Sequence, residues 1–125
     1  MPLNSKQKGK RAELEFAEFC RDHGFDEARR GVQYSGRNGN SDVIGLPGIW
    51  CEVKRTESVR LHDWLAQAAA DAPAGTTPVV FHRRSRGPWY AIMPASDYLD
   101  LLHLAEYGHE RGEIMSYPVA RELLP

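Results

Sequence analysis

Cysteine is nearly absent. Cys20 and Cys51 are the only two, and their spacing matches no zinc-binding pattern. Each reads as a buried thiol, because an unpaired cysteine behaves as a small hydrophobe. No run of 18 apolar residues occurs, so no segment is expected to span a membrane. The opening "MPLNSKQKGKR" lacks the apolar middle of a secretory signal, and an intracellular, cytoplasmic setting is the expectation. The five histidines, His23, His62, His82, His103 and His109, show no paired ligand spacing and are given no chemistry. Excess charge of either sign is also missing. With 16 Lys/Arg against 17 Asp/Glu the net charge is −1, which by itself argues against a strongly electrostatic nucleic-acid binder.

The average conceals an asymmetry. Residues 1–95 carry 14 Lys/Arg against 11 Asp/Glu, whereas residues 96–125 carry 2 against 6. A basic face with an acidic far end therefore remains open. At 125 residues and 42% hydrophobic, the chain suits one compact domain with a single core. A basic stretch over about residues 1–9 precedes it, and a tail over about 109–125 has no clear pattern.

Periodicity predicts a first helix from Ser5 to about His23, with Ala12, Phe16, Ala17, Phe19 and Cys20 as its apolar stripe and Gly24 as its stop. "EARRGVQY" (27–34) reads as a modest strand, and "SGRNGN" (35–40) as a loop. "SDVIGL" and "IWCEVKR" are β-branched and aromatic strands around Pro47-Gly48, a hairpin signal. "LHDWLAQAAADA" (61–72) is a second helix, ended by Pro73 and Gly75. "TPVVFHRR" and "PWYAIMP" are two further strands. A third helix, "YLDLLHLAEY", follows, capped by Ser96 or Asp97 and ended by Gly108. The order αβββαββα implies an α/β fold, one mixed sheet of about five strands flanked by helices.

One stretch, "DVIGLPGIWCEVKR", carries unusual charge for a pair of short strands. Side chains alternate across a strand, so Glu52 and Lys54 share one face beside Trp50, while Ile49, Cys51 and Val53 form an apolar face toward the core. The turn folds Asp42 roughly opposite Glu52, and neighbouring strands lie about 5 Å apart. Two carboxylates at that separation suit Mg²⁺, which takes oxygen ligands together with water and phosphate oxygens. Lys54 adds a fixed positive charge for an attacking water or a phosphate. Glu13 on the first helix is a candidate third acid, although Glu13, Glu15 and Glu18 also read as a solvated helix face.

These residues resemble the PD-(D/E)XK nuclease superfamily, and within it the archaeal-type Holliday junction resolvases and their phage-encoded relatives. The likeness rests on "KGKRAELEF", "RRGVQYSGRNGNSDVIGL" and "WCEVKR" and covers roughly residues 8 to 104. It implies a restriction-endonuclease-like core and catalytic roles for Glu13, Ser35, Asp42, Glu52, Lys54 and Gln67. A metal set of Glu13, Asp42, Glu52 and Val53 is implied with it, holding Mg²⁺, with Mn²⁺ as a substitute. The resemblance further implies a homodimer that makes paired symmetric nicks in branched DNA during recombination and repair, in a host cytoplasm if phage-encoded. Two features depart from the family. Ser41 stands where the superfamily has its naming proline, and the chain is less basic than the archaeal enzymes.

The remaining cations are candidate phosphate contacts: Lys6, Lys8, Lys10 and Arg11 near the N-terminus, Arg29, Arg30 and Arg37 around the site loop, Arg55 after Lys54, and Arg83 and Arg84 at a hairpin tip. The alternatives are a solvated arm for the first group and protection of a sheet edge for the last. Trp50, Trp64 and Trp89 read as core or interface anchors. The third helix has more apolar side chains than one face needs, which suggests a subunit contact. Two competing functions stay open, a flap, nick or restriction-type nuclease on the same core and a DNA-binding module without catalysis.

Overall fold

The computed structural model describes residues 4–32 and 41–111. Helix α1 (Ser5–Asp22) starts at a capping box: Asn4 Oδ1 accepts from the Gln7 N–H at 2.8 Å, and the Gln7 side chain accepts from the Asn4 N–H at 3.3 Å. The helix therefore orders most of the expected basic arm. Ala12, Phe16, Ala17 and Cys20 form its buried stripe. It ends in a left-handed glycine, Gly24 at φ +94, with Phe25 N–H donating to the Cys20 carbonyl and Gly24 N–H to that of Arg21.

Five strands follow in one mixed sheet, in spatial order β1 (Arg29–Arg30), β2 (Val43–Ile44), β3 (Ile49–Arg55), β4 (Thr77–Arg83) and β5 (Tyr90–Ile92). Only the β3–β4 pair is parallel, and helix α2 (Leu61–Asp71) provides its crossover. The order αβββαββα and the restriction-endonuclease-like arrangement stand as predicted. β1, β2 and β5 are shorter than the runs assigned to them, and the remainder of the expected first strand and its loop, 33–40, lies outside the described residues.

Alternation in β3 divides the sheet into two faces. Cys51 and Val53 meet Ala12, Phe16 and Cys20 of α1, while Trp64 and Ala68 of α2 pack on Val80 from the other side. Phe16 anchors the first face, stacked on Phe81 at 4.3 Å with Trp89 edge-on at 5.0 Å. Both cysteines are free thiols in that core, 5% and 0% exposed. Burial pushes Cys20 up to about 11 and Cys51 higher still, with Cys20 a further upward influence on Cys51.

Helix α3 (Ala95–Arg111) departs from expectation at both ends. Ser96 and Asp97 lie inside its first turn rather than before it, because the Pro94 carbonyl accepts from the Asp97 and Tyr98 N–H groups. Gly108 does not stop it: a glycine inside a helix costs only about 1 kcal/mol relative to Ala. Leu104 is buried, whereas Tyr98, Leu99 and Leu102 are exposed. No helix among the described residues is long and apolar enough to cross a membrane.

Candidate active site

The β2–β3 turn sets the geometry. Val43 pairs with Cys51, so Asp42, just before β2, lies beside Glu52. The strands part at this point, and the Asp42 carboxylate takes over a ladder role: Oδ2 accepts from the Val53 N–H at 2.8 Å. Asp42 is also fixed through its backbone, donating to the Cys51 carbonyl and accepting from the Gly31 N–H, both at 2.9 Å. Ser41 is buried, and its hydroxyl donates to the Val43 carbonyl at 2.7 Å. That bond shapes the bend where the superfamily uses proline. Gly45, at φ +99, lets the turn lie against the backbone of Glu27 and Ala28, where any Cβ would collide.

Glu52 is half-buried and accepts from the Trp50 indole N–H at 3.2 Å. Burial, then the neighbouring Asp42 charge, raise it to about 7 against the pull of Trp50 and Lys54, with Asp71 adding a smaller upward push. Asp42 is raised as well, by burial, although the Val53 N–H, Lys54, Glu52 and Arg30 all oppose the shift. Glu52 therefore resists ionisation while Asp42 is charged, and a hydrogen bond between the two favours the ionised form of Asp42. Lys54 is half-buried on the same face.

Glu13 projects from α1 into an ion pair with Arg30, Nε to Oε2 at 2.8 Å. Burial raises its carboxyl, followed by the charge of Asp42, while Arg30 pulls it back. Among the described residues, no three His, Cys, Asp or Glu side chains approach closely enough to hold one metal ion together. The Val53 side chain is buried in the core, which leaves its backbone to face the site. Gln67 is exposed on α2, one turn beyond Trp64, without a hydrogen bond to these acids. Ser35 and Arg37 lie outside the described residues.

The structure gathers some of the predicted cations. Lys8, Arg11 and Arg55 line a cavity of about 420 Å³ with Thr56, Glu57 and Ser85. Within it Glu57 accepts from the Ser85 N–H at 2.9 Å, a bond that holds its carboxyl below the usual range. Lys6 and Lys10 are exposed on α1, Arg84 is exposed at the hairpin tip, and exposed Arg29 donates to the Glu27 carbonyl at 3.1 Å.

Three features escaped the sequence reading. Glu15 meets Arg55 at 3.0 Å, Arg83 at 3.8 Å and Arg11 at 3.9 Å, and its Oε2 is buried without a hydrogen bond. Arg83 also lies over Trp89, 5.4 Å from the ring centroid. Buried His82 pairs with Lys54 across β3–β4, and its Nε2 donates to the Thr56 carbonyl at 2.8 Å, pinning the chain just past Arg55. Only the Arg11–Glu15 spacing of four was a readable local signal.

Searches among curated proteins and among solved structures returned no match. A family model described as "Phage putative PDDEXK endonuclease" matches residues 4–114, a span that includes Glu13, Asp42, Glu52, Lys54 and every strand of the sheet. The chain belongs to this phage family of PD-(D/E)XK endonucleases.

Proposed function

We propose that the protein is a Mg²⁺-dependent DNA endonuclease that resolves branched DNA as a homodimer. The observation that carries the chemistry is the half-buried Asp42–Glu52 pair with Lys54 on the same sheet face. Two adjacent carboxyls that burial raises, Glu52 further by the charge of Asp42, are short of positive charge. Their hard oxygens fit Mg²⁺ or Mn²⁺. Asp42 and Glu52 would hold the ion, with Glu13 and the Val53 backbone as the remaining candidates. When bound, it would supply Lewis-acid polarisation of the phosphate and a lowered pKa for water.

The chain's own groups supply position. The Val53 N–H holds Asp42 and the Trp50 N–H holds Glu52, so both carboxylates are aimed before substrate arrives. Lys54 contributes a fixed charge for a non-bridging phosphate oxygen. Cations of the Lys8–Arg11–Arg55 cavity suit the flanking backbone. The junction reading draws on the motif resemblance, and the exposed Tyr98, Leu99 and Leu102 of α3 suit a second subunit.

Cleavage of a labelled four-way junction, a flap and a linear duplex, each with Mg²⁺ or EDTA, tests the proposal with wild type and Glu52→Ala. Paired symmetric nicks that need both the metal and Glu52 are expected. If linear duplex is bound and cut as well as the junction, a flap, nick or restriction-type nuclease stands instead. A junction bound tightly and left intact would indicate a binding module.

A further inference from the structure

Arg29 and Arg30 form the edge strand β1, and alternation separates them. Arg29 is exposed, while Arg30 sits opposite Val43 and turns inward with it toward α1. There it reaches Glu13 at 2.8 Å, with the two side chains 31% and 13% exposed. A plain structural tie between an edge strand and a helix would involve only its two partners. Arg30 instead stands beside a second site acid as well, because it pairs with Val43 and the next residue, Gly31, donates its N–H to the Asp42 carbonyl at 2.9 Å. Lys54 lies next to the Asp42–Glu52 pair, two residues beyond Glu52 on β3. The three carboxylates thus form a row with two cations serving overlapping pairs of it. Three carboxylates against two cations leave that row one positive charge short.

We infer that Arg30 is the resident counter-ion of the metal site: its guanidinium holds Glu13 in the metal-free protein, a divalent cation competes with it for Glu13, and a nucleic-acid phosphate that takes Arg30 favours the exchange. This rests on the nuclease reading and adds a coupling to it. A guanidinium fork that fits a carboxylate fits a phosphate equally well. Metal taking Glu13 releases Arg30 for the backbone, and a phosphate taking Arg30 frees Glu13 for metal. By linkage the two bindings must strengthen each other equally.

The test is Mn²⁺ binding to the full chain without nucleic acid, read from the electron paramagnetic resonance of free Mn²⁺. Arg30→Gln should bind Mn²⁺ at least about fivefold more tightly than wild type. The gain should vanish in the Glu13→Gln background, and Arg30→Lys should stay near wild type. Equal or weaker binding by Arg30→Gln overturns the inference, as does a gain that persists without Glu13. Should Arg30→Gln fail to fold, ¹⁵N NMR of the wild type decides. The Arg30 Nε–H, protected by its ion pair, should shift and exchange faster on addition of Mg²⁺, and an unchanged resonance at saturating Mg²⁺ overturns the inference. A wild type that binds no Mn²⁺ at all overturns the metal-dependent function as well, so the two failures can be told apart.

Discussion

Between pH 4.5 and about 7, Glu52 is protonated in the folded protein and ionised in the unfolded chain. The folded state holds the extra proton in this window, so stability falls as pH rises through it. Discounted for the solvent that reaches this half-buried group, the loss is on the order of 1–2 kcal/mol in metal-free protein. Glu52→Gln carries no such charge. Its urea-unfolding stability in EDTA should fall less across the window than that of wild type and exceed it at pH 8. Asp42 needs a different substitution logic. Asn keeps an oxygen for the Val53 N–H, so Asp42→Asn should fold and bind DNA within a few-fold of wild type while cleavage is lost. Ala leaves that N–H unpaired, and Asp42→Ala should cost a further ~1–3 kcal/mol in the same unfolding measurement. Glu52 and Lys54 were legible because strand alternation converts a spacing of two into a shared face, and Asp42 because the Pro47-Gly48 turn folds it back beside Glu52. Glu15 was not, because Arg55, 40 residues away in sequence, meets it only once α1 lies on the sheet.

At the scale of elements, the β2–β3 turn and the α1 face hold the site in register. Gly45→Ala adds a Cβ that meets the Glu27 carbonyl and lies 2.7 Å from Ala28 Cα, at a φ of +99. It should destabilise by at least ~2 kcal/mol in thermal unfolding and reduce cleavage, because the same turn carries Asp42. Phe16→Ala removes the ring that meets Phe81 and Trp89 and should cost about 3–5 kcal/mol. β3, β4 and α2 were readable almost to the residue because each carries a full run of apolar period. β1 was not. It is a two-residue edge strand held by pairing with β2 and by the reach of Arg30 to Glu13, and neither is a local property. The α3 boundaries were misplaced for a related reason: Pro94 starts the helix through its carbonyl, and a lone glycine weakens a helix without ending it.

For the whole molecule, a net charge of −1 says little about how charge is distributed over its surface. The Lys8–Arg11–Arg55 cavity concentrates positive charge contributed by α1 and the end of β3. DNA affinity should therefore fall steeply with salt. Lys8→Ala and Arg11→Ala should each reduce the log–log salt slope by about 0.9, as measured by fluorescence anisotropy. An unchanged slope would place the DNA elsewhere.

The two thiols sealed between α1 and β3 have a practical consequence. Cys51 is the residue immediately before Glu52, wholly enclosed, and its raised pKa keeps it from forming thiolate. In the folded protein a maleimide or disulfide reagent would find neither Cys51 nor Cys20. Alkylation must wait until α1 lifts from the sheet, so its rate is a clock for the opening of the strand that carries Glu52 and Lys54. Anything that tightens the site would slow that clock.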